Sequence, residues 1–95
     1  MNYYNEIKNK LIDNEVYSKI KDYSKERHTL LTYYEVGKLL LEAGKRYGDD
    51  IIGNYSKKLS TEVDKKYNSR TLRRMRQLYQ FFEEQKWSRW GPNYQ

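Results

Sequence analysis

Apolar residues recur three to four positions apart from Tyr4 to Phe82, and no segment alternates convincingly as a strand would. That period constrains the fold most. It allows stripes on helices and leaves no two-sided ribbon to build a sheet. Four such stripes can be read.

The first takes in Tyr4, Ile7, Leu11, Ile12, Val16, Ile20 and Tyr23, a helix of about five turns with Asn2 or Asn5 as N-cap. The polar stretch "SKERHT", residues 24–29, is expected to hold a break. The second stripe is Leu30, Tyr33, Tyr34, Gly37, Leu40, Leu41 and Gly44, with Tyr33 and Tyr34 as core and core-edge aromatics. Gly37 inside it costs about 1 kcal/mol against alanine, which predicts close approach of another helix or a ring. Gly44 or Gly48 suits the left-handed C-cap.

Asp49 or Asp50 is the expected N-cap of the third helix, which explains that acidic pair without a cation. Its stripe is Ile51, Ile52, Tyr55, Leu59 and Val63, ending near "KKYN". The chain then turns at Tyr67 and Asn68. Ser69 is the expected N-cap of the fourth helix, whose stripe is Leu72, Met75, Tyr79 and Phe82 with Leu78 beside it. After Glu84 the pattern stops, so residues 87–95 read as a docked tail or the truncated start of a further element, with Trp87 and Trp90 capping the core or exposed to a partner. Without repeats or a linker, residues 1–95 form one domain. The expected fold is all-α, a four-helix domain containing a helix-turn-helix made by the third and fourth helices.

The net charge of +6 is unevenly placed. Residues 1–56 carry nine basic and nine acidic side chains, and residues 77–95 carry two of each. Residues 57–76 carry eight basic groups against Glu62 and Asp64, so the whole excess lies in twenty positions. Concentrated positive charge fits a polyanion, because each neutralised phosphate releases condensed counterions.

The third and fourth helices are separated by about three residues on this reading, a sharp turn. On the fourth helix, at 100° per residue, Leu72, Met75, Leu78, Tyr79 and Phe82 fall within roughly 120°. Arg70, Arg73, Arg74, Gln77 and Gln80 occupy an opposing arc, with Arg76 at the boundary, where its guanidinium is placed to lean out to a backbone phosphate or to pair with an acid. Arginine matches guanine O6/N7 and glutamine matches adenine N6/N7 in the major groove. Ser69 and Thr71 at the helix start suit a phosphate, and Lys57, Lys58, Lys65 and Lys66 suit the flanking backbone.

The stretch "YYEVGKLLLEAGKRYGDDIIGNYSKKLSTEVDKKYNSRTLRRMRQLYQFF" resembles the N-terminal domain of the YhcG-like family. The resemblance rests on Tyr33-Tyr34-Glu35-Val36-Gly37, on Tyr47-Gly48 with Ile52, Leu59 and Ser60, and on Ser69 through Tyr79. It implies a helical, winged-helix-like DNA-binding module that usually precedes a PD-(D/E)XK nuclease domain as a targeting or regulatory part. By position, the "SRTLRRMRQ" helix would face nucleic acid.

Catalysis is not expected. Triplets such as Glu6-Ile-Lys8, Asp64-Lys65-Lys66 and Glu84-Gln-Lys86 lie in helical patterns and lack the second carboxylate set that Mg²⁺ chemistry needs. His28 stands alone in a polar stretch and is expected at the surface. No cofactor is implied, and without cysteine there is neither a disulfide nor a thiolate metal site. No apolar run approaches the ~20 residues of a membrane span, and no apolar leader is visible, so a cytoplasmic protein is expected. The sequence reading is therefore a non-catalytic module for duplex DNA, with a homodimer, a fused nuclease or a protein partner adding a second foothold. The rival is a protein-interaction module, such as a phage or mobile-element inhibitor or regulator of a nucleic-acid enzyme, using the arginines on an acidic surface.

Overall fold

The computed structural model describes residues 2–19 and 25–90, with side chains at 2–19 and 26–85. Four helices are formed: α1 Tyr3–Tyr17, α2 Lys25–Tyr47, α3 Asp50–Glu62 and α4 Ser69–Trp90. The described residues contain no strand, so the domain is all-α and shows no β-wing.

Helix α1 starts where Asn2 Oδ1 accepts from Asn5 N at 3.1 Å, closing one of the free amides of the first turn. It buries Ile7, Leu11 and Asn14 at four- and three-residue steps. Ile12 and Val16 fall on the far side of the same wheel and are exposed, so the buried stripe is narrower than the sequence implies. Asn14 is tolerated inside because its Oδ1 accepts from Thr29 Oγ1 at 3.1 Å and lies 2.9 Å from His28 Nδ1. Ile20 and Tyr23, assigned to this helix from their spacing, lie outside the described residues.

Most of the expected break is helix, because α2 begins at Lys25. Lys, Glu and Arg are good helix formers, and Glu26 in the first turn favours the helix start. His28 is half-buried rather than exposed. It stacks on Tyr17 with ring centroids 4.0 Å apart and planes within 8°. The inward positions of α2 are Thr32, Val36, Leu39, Leu40 and Ala43. Leu30, expected in the stripe, is exposed, and Tyr33 and Tyr34 sit half-buried at the core edge.

Helix α2 is the central element, packed against α1, α3 and most extensively α4. Gly37 makes the α4 contact possible, since a Cβ there would lie 2.1 Å from the Met75 carbonyl oxygen. The helix ends as expected of its glycines. Gly48 takes φ +93°, and its N–H donates to the Gly44 carbonyl at 2.8 Å. Asp49 stands at the N-cap position of α3 without a side-chain cap bond. Helix α3 then buries Ile52, Tyr55, Ser56 and Leu59.

Helix α4 continues to Trp90, past the point where the sequence pattern fades. The expectations for the Trp87 and Trp90 side chains and for residues 91–95 lie outside the described residues.

Candidate nucleic-acid interface

Six residues, 63–68, connect α3 to α4, twice the length read from the sequence. Helix α3 stops at Glu62 because the chain folds into a local turn. The amides of Val63 and Asp64 both donate to the Leu59 carbonyl, and Asp64 Oδ1 accepts from Lys66 N at 2.9 Å. That turn carries Tyr67 into the core, where it is fully buried. Its hydroxyl donates to Glu15 Oε2 on α1.

The cap of α4 is Asn68, not Ser69. Asn68 Oδ1 accepts from Thr71 N at 3.0 Å and its carbonyl accepts from Leu72 N at 3.0 Å. Asparagine reaches the third amide from that position, which frees Ser69 to turn inward. Ser56 spends its single proton on the Gly53 carbonyl, so Ser69 Oγ is the donor in the 3.0 Å bond between the two serines. The Ser69 hydroxyl therefore ties α4 to α3 and has no proton left for a phosphate. Ser60 Oγ adds a second tie, donating to the Tyr67 carbonyl at 3.3 Å.

With Leu72 and Met75 fully buried, the rotation of α4 is fixed. Arg70, Arg73, Arg74, Gln77 and Gln80 are all exposed on the opposite arc, and Lys57 and Lys65 are exposed just before it. Thr71 is half-buried, its amide engaged by Asn68. Two other cations expected on the phosphate backbone are paired with carboxylates of the same chain, although Lys66 remains exposed. Arg76 is half-buried, its Nη1 3.4 Å from Asp49 Oδ1. Lys66 Nζ lies 2.6 Å from Glu15 Oε2 and 5.4 Å from the centre of the Tyr67 ring. Lys58 sits over the Tyr4 ring at 5.2 Å. The freely presented basic surface is thus smaller than the sequence charge, and it is centred on the first two turns of α4.

The anchoring cluster has its own electrostatics. Partial burial works against ionisation of Glu15, but hydrogen bonds from Lys66 and Tyr67 outweigh it and hold the carboxyl below its usual range. The same bond to Glu15 pushes the Lys66 ammonium up. Burial, then the bond to Glu15, pushes the Tyr67 phenol well above its usual value.

Sequence reasoning missed this cluster, and one signal could have found it. Tyr67 immediately precedes an Asx cap and Leu72 follows that cap by four positions, the spacing of a hydrophobic staple. Both side chains are fully buried in the same core.

Among the described residues no group of three or more His, Asp and Glu side chains is placed to hold a metal ion. Among them also, no helix is long and apolar enough to cross a membrane.

The fold and its exposed arc define a small all-α domain that displays an arginine- and glutamine-rich helix. A family model described as the DUF1016 N-terminal domain matches residues 6–91, and the chain belongs to that family, the N-terminal domain of the YhcG-like proteins. No curated protein and no solved structure matches the chain significantly.

Proposed function

We propose that the domain is a non-catalytic module for duplex DNA in which α3 and α4 act as a helix-turn-helix, serving as the targeting or regulatory part of a nuclease system. The observation that carries this reading is the arc of Arg70, Arg73, Arg74, Gln77 and Gln80, all exposed on one side of a helix whose other side is locked into the core. Long side chains with fixed donors on the first turns of a helix are what base edges in a major groove require. Arg70, Arg73, Arg74 and Gln77 carry base and phosphate contacts, with Gln80 one turn further on. Lys57 and Lys65 flank them on the sugar-phosphate backbone, and Thr71 stands at the helix start. Lys66 and Arg76 support the site by fixing its position, since each is already paired with a carboxylate. Family membership supports the link to nucleases only through the resemblance that places such domains ahead of them.

The test is the double substitution Arg73→Ala with Arg74→Ala, read by gel shift on random duplex. Two charged contacts are removed from exposed positions, so affinity is expected to fall at least tenfold while the helical circular dichroism and melting temperature stay unchanged. Unchanged affinity in a folded double variant would refute the role assigned to this helix. Binding to an acidic protein surface instead of duplex would favour the protein-interaction reading.

A further inference from the structure

The other conspicuous surface lies where the start of α2 meets the second half of α4. Leu30 and Leu31 are 47% and 55% exposed, and Phe81 and Phe82 are 55% and 40% exposed. The two phenylalanine rings touch at 5.9 Å, and Phe82 meets Tyr34 edge-on at 6.2 Å. Leu30, Leu31, Tyr34 and Phe82 line an open groove of about 530 Å³, with Phe81 beside it against Phe82. Singly exposed apolar residues are ordinary, but a contiguous cluster of four large ones with a shared groove marks a docking surface.

The charges on the groove point to its occupant. Its α2 wall carries Arg27 and its α4 wall carries Glu83, one charge of each sign on opposite sides of an apolar floor. A two-fold axis through the middle of such a surface superposes each wall on the opposite wall of a second copy. Arg27 of one chain then meets Glu83 of the other, twice, around Leu30, Leu31 and Phe82. A surface with walls of one sign would repel its own copy, whereas this one is self-complementary. We infer that the α2–α4 groove is a self-association surface, and that its occupant is a second copy of this chain docked about a two-fold axis.

The arrangement is compatible with the basic arc. From Arg73 to Phe82 the helix rises about 13 Å, so the pairing surface leaves the first turns of α4 uncovered. The inference nevertheless stands apart from the nucleic-acid reading, because its test contains no nucleic acid.

Sedimentation equilibrium from about 10 μM to about 1 mM should show a monomer–dimer equilibrium. Leu31→Glu, at a position that is more than half exposed, should raise the dimer dissociation constant at least tenfold with no loss of helicity. The charge pair gives the sharper test. Arg27→Glu alone and Glu83→Lys alone should each sediment as monomer, because each homodimer then opposes like charges. An equimolar mixture of the two should recover the dimer, because both pairs across the axis are again of opposite sign. Glu83 also accepts from the Tyr34 and Tyr79 hydroxyls, so melting of each single variant is checked, and the Leu31→Glu result does not depend on it. A native chain that stays monomeric at about 1 mM would overturn the inference, whether the groove is covered by the chain's own residues or by an unlike partner. So would failure of the folded variants to associate on mixing.

Discussion

The carbonyl oxygen of Met75 lies so close to Gly37 that a methyl group on that glycine would sit 2.1 Å from it. The contact joins backbone to backbone, so no side chain can swing aside to relieve it. Helix α4 owes its rotation to this approach, and with it the outward direction of its arginines.

Gly37→Ala therefore pits helix propensity, worth about 1 kcal/mol in favour, against overpacking on a rigid partner. The clash is expected to win by about 2 kcal/mol, lowering the melting temperature by roughly 10 °C. Gly53→Ala is the matched control. Nothing lies within 4 Å of a Cβ at that helical position, so the same change should stabilise by about 0.5–1 kcal/mol. Thermal melts of the two variants should move in opposite directions.

Asn68→Ala removes the side-chain acceptor for Thr71 N and should cost about 1 kcal/mol in urea unfolding. If Ser69 were the cap, the cost of its own alanine variant would appear at the Thr71 and Leu72 amides. Amide exchange should instead show those two protected in Ser69→Ala and loosened in Asn68→Ala.

The Glu15–Lys66–Tyr67 cluster sets limits to stability on both sides of neutrality. Glu15 is lowered in the folded state, so its contribution is present above its unfolded value of 4.5 and is lost as pH falls through the lower folded value. Lys66 and Tyr67 are raised, so theirs are present below 10.5 and 10.0 and are lost as pH rises beyond. Stability should be level from about pH 5 to about pH 10 and fall on either side. Tyr67→Phe should lose about 1 kcal/mol near neutrality and make the alkaline limb less steep, the raised phenols of Tyr4, Tyr34, Tyr55 and Tyr79 supplying the rest of it. An alkaline limb as steep as the native one would show that other groups set it.

Much of the architecture was legible from spacing alone. Ile52, Tyr55 and Leu59 on α3, and Leu72 and Met75 on α4, carry a stripe at the helical period, and their burial follows. Gly37 was legible because an interior glycine needs a reason, and the reason is the Met75 carbonyl. Less legible were positions where a polar group does the work of an apolar one. Asn14 replaces Ile12 and Val16 on the inner face of α1 because Thr29 and His28 supply its partners, contacts that cross between helices and leave no periodic trace. The polar run at 24–29 read as a break for the same reason. Net charge also overstated the site, since the pairing of Lys66 with Glu15 joins residues 51 positions apart and that of Arg76 with Asp49 joins residues 27 apart.

The central claim is that the exposed arc of α4 engages a polyanionic duplex, and the salt dependence of binding tests it most directly. Of the exposed cations on and beside the arc, Lys57, Lys65, Arg70, Arg73 and Arg74 remain once Lys66, paired with Glu15, and Lys58, over the Tyr4 ring, are set aside. If four or five of them meet phosphates, a plot of log K against log salt should fall with a slope of roughly −4. Arg73→Ala with Arg74→Ala should bring that slope close to −2. Binding that is absent at about 50 mM salt, or a slope near zero, would contradict the account.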